Sequence, residues 1–228
     1  MPTTPRVVIF DVNQTLSDMS PLRWRFEEVG VPGHLLATWF AGVLRDGIAL
    51  AAAGAYADFR DVARAGLVTL FSEADAEDPG RSADHILDGF AALPVHPDVP
   101  DGVRALYGSG LRLATMTNGS ARTTERLLGE AGLGRLFEAH LDVSGPGVWK
   151  PAPAAYRYAV ERLGVDRAEA VLVAVHPWDV DGALRAGLSA VWLRRIPAPY
   201  PAIHSPPTHV VDDLRDLPAA LGLGRGTT

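Results

Sequence analysis

Four apolar residues, Val7-Val8-Ile9-Phe10, run directly into Asp11, and this order restricts the fold more than any other segment of the chain. A short uninterrupted run rich in β-branched residues suits a strand covered on both faces, as inside a parallel sheet flanked by helices. Asp11 then falls at the carboxyl end of that strand, where open α/β sheets gather their ligands. A carboxylate in that place either caps the following turn or is presented as a nucleophile.

The later part of the chain supplies the rest of such a sheet. Apolar runs at 111–116, 140–143, 170–175, 190–193 and 210–211 read as strands, and 123–131, 154–163 and 182–186 as helices between them. That alternation implies right-handed β-α-β units and a doubly wound parallel sheet. Between 17 and 92 the period changes: Leu35, Leu36, Trp39, Phe40, Val43 and Leu44 recur at helical spacing without strand alternation. Gly30-Val31-Pro32-Gly33 and Asp78-Pro79-Gly80 punctuate this stretch, and Pro94-Val95-His96-Pro97 reads as a return linker. The expected organisation is an α/β core built from 1–16 and 93–228, interrupted by an all-helical insert over 17–92.

Composition narrows the function class. A net charge of −6 without a basic cluster argues against a nucleic-acid partner. No apolar run is read as approaching the ~18 residues of a membrane span, and Met1-Pro2-Thr3-Thr4-Pro5 lacks a leader pattern. The expectation is therefore a cytoplasmic protein with a small-molecule substrate, and at most a second copy of itself as partner. The absence of cysteine excludes disulfides, thiolate ligands and a thiol nucleophile. The histidines show no paired ligand spacing, so no metal site is expected from them.

Four separated segments carry a resemblance to a known family. They are Asp11 with Thr15; Thr117-Asn118-Gly119 after an apolar run; Lys150-Pro151 introduced by Val148-Trp149; and an apolar run ending in His176-Pro177-Trp178-Asp179, followed by Gly182-Ala183. In this order they resemble the haloacid dehalogenase superfamily, which implies a Rossmann-like core with an inserted helical cap. Members that hydrolyse phosphate esters carry a second carboxylate two residues after the nucleophile, to protonate the leaving alkoxide. Here that position is Asn13, and an amide cannot cycle a proton. The acidic groups that hold magnesium in those members are represented by Ala174 and Asp179, a poor cage for the cation.

A halide departs without a proton, so neither missing group is needed for carbon–halogen cleavage. The chain is most similar to the type II 2-haloacid dehalogenase branch, whose fourth motif carries a Trp-Asp pair like Trp178-Asp179. The resemblance implies a hydrolase that forms an aspartyl ester and needs no cofactor. It assigns Asp11 as nucleophile, Thr15 as its orienting hydroxyl, and Thr117 and Asn118 to its surroundings. Lys150 keeps Asp11 ionised, and Asp179 orients or activates water. Asn13, Phe40, Leu44, Phe59, Tyr156, His176 and Trp178 fall at substrate-pocket positions. Two other readings stay open, a magnesium-dependent phosphatase of a small phosphate ester and a non-catalytic binder that keeps the fold.

Departures from the branch concern its water and its substrate. A serine and an asparagine around the hydrolytic water appear as Ala174 and His176, and Phe40 stands where an arginine would grip the substrate carboxylate. Arg45 is five residues further on, more than one helical turn away. Phe40 is expected to widen the apolar side of the pocket. Without a bidentate clamp a small acid is poorly positioned, and such misplacement costs on the order of 10²-fold in rate. Chloroacetate and 2-chloropropionate should therefore be poor substrates, with a larger or less charged compound preferred. Equal halide release from 2-chloropropionate by the wild type and a Phe40→Arg variant would contradict this.

Overall fold

A computed structural model describes residues 5–223. Residues 1–4, on which most of the reading of the N-terminus rests, lie outside them. The strands are β1 Val7–Phe10, β2 Arg112–Thr117, β3 Ala139–Asp142, β4 Ala170–Ala174, β5 Ser189–Leu193 and β6 His209–Val211. They form one sheet in the order β3-β2-β1-β4-β5-β6, and every neighbouring pair is parallel. β1 is central, and the alternation of its side chains decides what each face buries. Val7 and Ile9 enter one apolar cluster, and Val8 and Phe10 enter another on the opposite face. The chain leaves β1 toward β2 on one side and returns through β4 on the other, so the strand order reverses beside the carboxyl end of β1.

Four helices separate β1 from the next core element: α1 Leu22–Glu28, α2 Leu35–Ala52, α3 Phe59–Glu73 and α4 Pro79–Ala91. The outgoing and returning chains are zipped together, with Asp18 N donating to Pro94 O at 2.8 Å and His96 N to Leu16 O at 2.9 Å. Phe26, Trp39 and Phe71 meet edge-on or tilted at the centre of these helices. With 18 residues and a mean hydropathy of 1.4, α2 is long and apolar enough to cross a membrane by length and composition. Arg45 and Asp46 interrupt its apolar run, which hides this property in the sequence. Its Trp39, Phe40, Val43 and Gly47 are buried in the protein interior.

The remaining helices are α5 Val99–Gly108, α6 Ala121–Glu130, α7 Pro153–Leu163, α8 Pro177–Arg185 and α9 Leu217–Ala220. Three depart from what the sequence leads one to expect, the short α9 among them, where the sequence reading offers no helix. In α5, Pro100, Gly102 and Gly108 mask the helical period, yet Val99, Val103 and Leu106 are buried along one face. α8 starts at Pro177 instead of 182, because proline's fixed φ and missing N–H suit the first turn of a helix. Asp179 consequently sits in that first turn.

Trp149, on the loop before Lys150, joins the inserted helices to the sheet. It is fully buried, stacks on Phe59 with centroids 6.0 Å apart, and donates from Nε1 to Ala57 O at 2.9 Å. Gly47 of α2 lies flat against the indole, where a methyl group would collide with the ring. Alanine is intrinsically better in a helix than glycine by about 1 kcal/mol. Overpacking costs about 1–3 kcal/mol. Gly47→Ala is therefore expected to lower the thermal midpoint by a few degrees despite its better propensity. An unchanged or raised midpoint in a thermal melt would show that the indole can move aside.

Candidate active site

Asp11 stands one residue beyond β1, with its N–H donating to Val173 O at 3.0 Å, so the central strand pair continues up to the carboxylate. Its two oxygens are held by different partners. Oδ2 accepts from Thr15 Oγ1 at 2.6 Å, and Oδ1 accepts from Lys150 Nζ at 3.0 Å. The Thr15 oxygen in turn accepts from Val175 N at 3.0 Å, which ties the loop after β1 to the end of β4.

Lys150 is fully buried and bridges two carboxylates, donating also to Asp179 Oδ2 at 2.6 Å. Asn118 secures its backbone from both sides: Oδ1 accepts from Lys150 N at 2.8 Å, and Nδ2 donates to Lys150 O at 3.2 Å. Tyr156, on α7, donates to Asp179 Oδ1 at 2.6 Å. Gly182, one turn after Asp179 on α8, leaves room for the tyrosine hydroxyl, since a Cβ there would collide with it. Every heteroatom of the Asp11-Lys150-Asp179-Tyr156 group thus has a partner, as buried polar groups require.

Burial opposes the charged form of each of these residues, and the partners decide the balance. For Asp11, desolvation would raise the pKa, but the Lys150 charge, helped by His176 and by hydrogen bonds from Thr15 and Lys150, holds it below the usual 3.8. For Lys150, desolvation is outweighed by the charges of Asp11 and Asp179, and its pKa lies above 10.5. Asp179 goes the other way. Desolvation and, despite the opposing Lys150 charge, the nearby Asp11 charge raise it. Desolvation, reinforced by Asp179, also pushes the Tyr156 hydroxyl well above its ordinary value, so it remains a donor.

Aromatic rings cover this cluster. His176 stacks on Trp178 at 5.1 Å and on Phe40 of α2 at 6.3 Å. Its Nε2 is 3.2 Å from Asn13 O and 3.8 Å from Asp11 Oδ2. A carbonyl only accepts, so Nε2 carries the proton and is not free to take one. Phe40 is buried in this stack and does not line the neighbouring cavity. The expectation that it widens the pocket is therefore corrected: the ring fills its space against His176. Leu44 is half-buried against the inserted helices, whereas Phe59 does line the cavity. Arg45 turns to its neighbour Asp46 at 2.7 Å on the exposed side. Thr117 is buried, and its Oγ1 accepts from Gly119 N at 2.9 Å, shaping the turn beside the cluster.

Both site carboxylates are engaged by the Lys150 ammonium, and Ala174 supplies no side-chain oxygen, so the donor set does not suit an oxygen-caged magnesium ion. Arg195, which no motif signalled, braces the nucleophile loop: Nε and Nη2 donate to Thr15 O at 3.0 and 2.7 Å, while Nη1 pairs with Asp98 at 3.0 Å. It lies 180 residues from Thr15 in sequence, and only the pairing of β5 beside β4 brings it near.

Known proteins resemble this chain in sequence and in fold. Residues 5–187 match the family model for haloacid dehalogenase-like hydrolase. The chain is 27% identical over 214 residues to (S)-2-haloacid dehalogenase 4A of Burkholderia cepacia, covering 93% of each. It is 26% identical over 220 residues to (S)-2-haloacid dehalogenase 2 of Pseudomonas sp. (strain CBS-3), covering 95% of each. Its fold superposes with a TM-score of 0.86 on the L-2-haloacid dehalogenase from Xanthobacter autotrophicus with chloropropionic acid covalently bound, at 27% identity over 98% of this chain and 100% of that one. On the match of its family model and the motifs gathered around Asp11, the chain belongs to the haloacid dehalogenase-like hydrolases.

Proposed function

We propose that the protein hydrolyses a carbon–halogen bond through an ester on Asp11, with the helices between 17 and 92 acting as a cap over the site. The observation that carries this reading is the Lys150 ammonium shared by Asp11 and Asp179, in a site that has Asn13 and Ala174 where an alkoxide leaving group and a metal would need carboxylates. In the first step an Asp11 oxygen attacks the halogen-bearing carbon, and the carbon–halogen bond breaks with its electron pair leaving as halide. No proton is consumed. Lys150 and Thr15 hold the carboxylate ionised and aimed.

Esterification removes the Asp11 charge. Lys150 is then left with Asp179 as its counter-ion, and the repulsion that helped to raise Asp179 is gone. Asp179 becomes the better ionised partner at the stage where water must be polarised. Water adds to the ester carbonyl of Asp11, the acyl carbon–oxygen bond breaks, and the hydroxylated product leaves with one proton released. His176, committed as a donor to Asn13 O, supports the negative charge at Asp11 instead of acting as the base at that nitrogen. The phosphatase reading has less support, since positioned acid catalysis is worth about 10²–10⁴-fold and Asn13 cannot provide it.

The decisive assay measures halide release from a series of haloacids, and phosphate release from small phosphate esters, each with magnesium and with chelator. Halide release that survives chelation is expected. Single turnover in heavy-oxygen water should place the label in Asp11, and Asp11→Asn should be inactive. Phosphate release that vanishes with chelator and returns with magnesium would move the protein to the phosphatase branch.

Removing the central cation gives a second check. Asp11 has a depressed folded pKa, so the stability it contributes is present above about pH 3.9 and lost as the pH falls through the lower folded value. In Lys150→Met desolvation acts with its main opponent gone, and two carboxylates are buried without their cation, which costs about 3–5 kcal/mol. The pH profile of kcat/KM should then acquire an acid limb above pH 3.8 that the wild type lacks. A variant with the wild-type profile and melting midpoint would show that Lys150 does not hold Asp11 ionised.

A further inference from the structure

A cavity of about 440 Å³ lies in the seam between the inserted helices and the sheet, beside the nucleophile but apart from its immediate surroundings. Its volume falls within the roughly 300–1,000 Å³ typical of small-molecule pockets, far more than a three-carbon acid occupies. Its inner end is made by Val12, Asn13 and Gly119, next to the Asp11 and Thr117 turns, and neither Lys150 nor Asp179 reaches it. Gly119 keeps this neck open, because a Cβ there would crowd Thr117 Oγ1 at 3.2 Å and Asn13 Nδ2 at 3.3 Å.

Phe59, Leu87, Phe90, Leu93 and Leu127 provide the apolar wall, with Phe59 and Phe90 stacked 5.1 Å apart. The carboxylates on the polar side already have partners. Asp58 accepts from Tyr56 OH at 2.7 Å, and Asp142 accepts from Ala121 N at 2.8 Å and from Ser144 Oγ at 2.5 Å. Arg60 also lines the cavity, but it is solvent-exposed, so what the buried part of the cavity offers a ligand is chiefly its apolar wall. Phe40 meanwhile provides no charge at the reacting end.

We infer that this cavity is a distal subsite for the side chain carried on the substrate's reacting carbon, and that the substrate is a 2-haloacid or a derivative of one with an apolar chain of several carbons. This rests on the carbon–halogen reading of the site and supplies the binding energy that a carboxylate clamp would otherwise give. Burying one methylene improves affinity about fourfold. Phe59 also stacks on Trp149, so the indole fluorescence reports occupancy.

The test measures binding of chloroacetate, 2-chlorobutanoate, 2-chlorohexanoate and 2-chlorooctanoate to the Asp11→Asn protein by tryptophan fluorescence and calorimetry. Affinity should rise about three- to fourfold per added methylene. In the same background Thr123→Phe and, separately, Ser120→Phe fill the cavity from the first turn of α6 and its flank, and each should flatten that slope. A flat series in the parent, or an undiminished slope in both variants, overturns the subsite. Halide release by the wild type over the same series keeps the two readings apart. Binding that rises with chain length but never yields halide leaves the subsite standing and removes the reaction, whereas release without any chain-length dependence of binding does the reverse.

Discussion

The Lys150 ammonium, buried between Asp11 and Asp179, is the interaction on which the rest of this structure depends. One cation shared by two carboxylates leaves the cluster with a single net negative charge, and a single charge is what a nucleophile needs. Neither carboxylate alone would justify burying a lysine, because desolvation opposes every charged form in the site. Tyr156, Thr15 and Asn118 then fix geometry around the ammonium, taking up lone pairs and backbone groups that would otherwise be unpaired.

The architecture follows from the need to bring these groups together. Asp11 arrives on the central strand, Lys150 on the loop after β3, and Asp179 on the first turn of the helix after β4. A parallel sheet whose strand order reverses at β1 delivers all three to the same edge. Trp149 extends the arrangement into the inserted helices, so the residue beside the central lysine is also the contact that seats those helices. Electrostatics of the site and packing between its two parts are thereby coupled through adjacent residues. His176 adds a second link, being stacked on Phe40 of the inserted helices while bonded to the nucleophile loop.

Much of this is legible in the residues. The apolar runs locate all the described strands to within a residue or two, most cleanly β1 and β4, which are buried at every position. The four motifs lead to Asp11, Thr15, Lys150 and Asp179, which the fold does assemble by hydrogen bonds. α5 stays hidden, since Pro100 and two glycines suppress the helical period while Leu214 packs against its Gly102. Phe40 does not leave the open space that its place in the sequence suggests, because its partner His176 lies on a different element.

By itself, the sequence determined the sheet, the helical insert and the identity of the charged residues, since burial patterns and motif chemistry are written in local order. Only the tertiary structure decided which oxygen meets which donor, that His176 is committed to Asn13 O, that Arg195 braces the nucleophile loop, and that a cavity opens beyond Gly119. Those features depend on distances between residues as many as 180 positions apart. No local pattern encodes such distances, because they are fixed by how strands pair and how the inserted helices settle on the sheet.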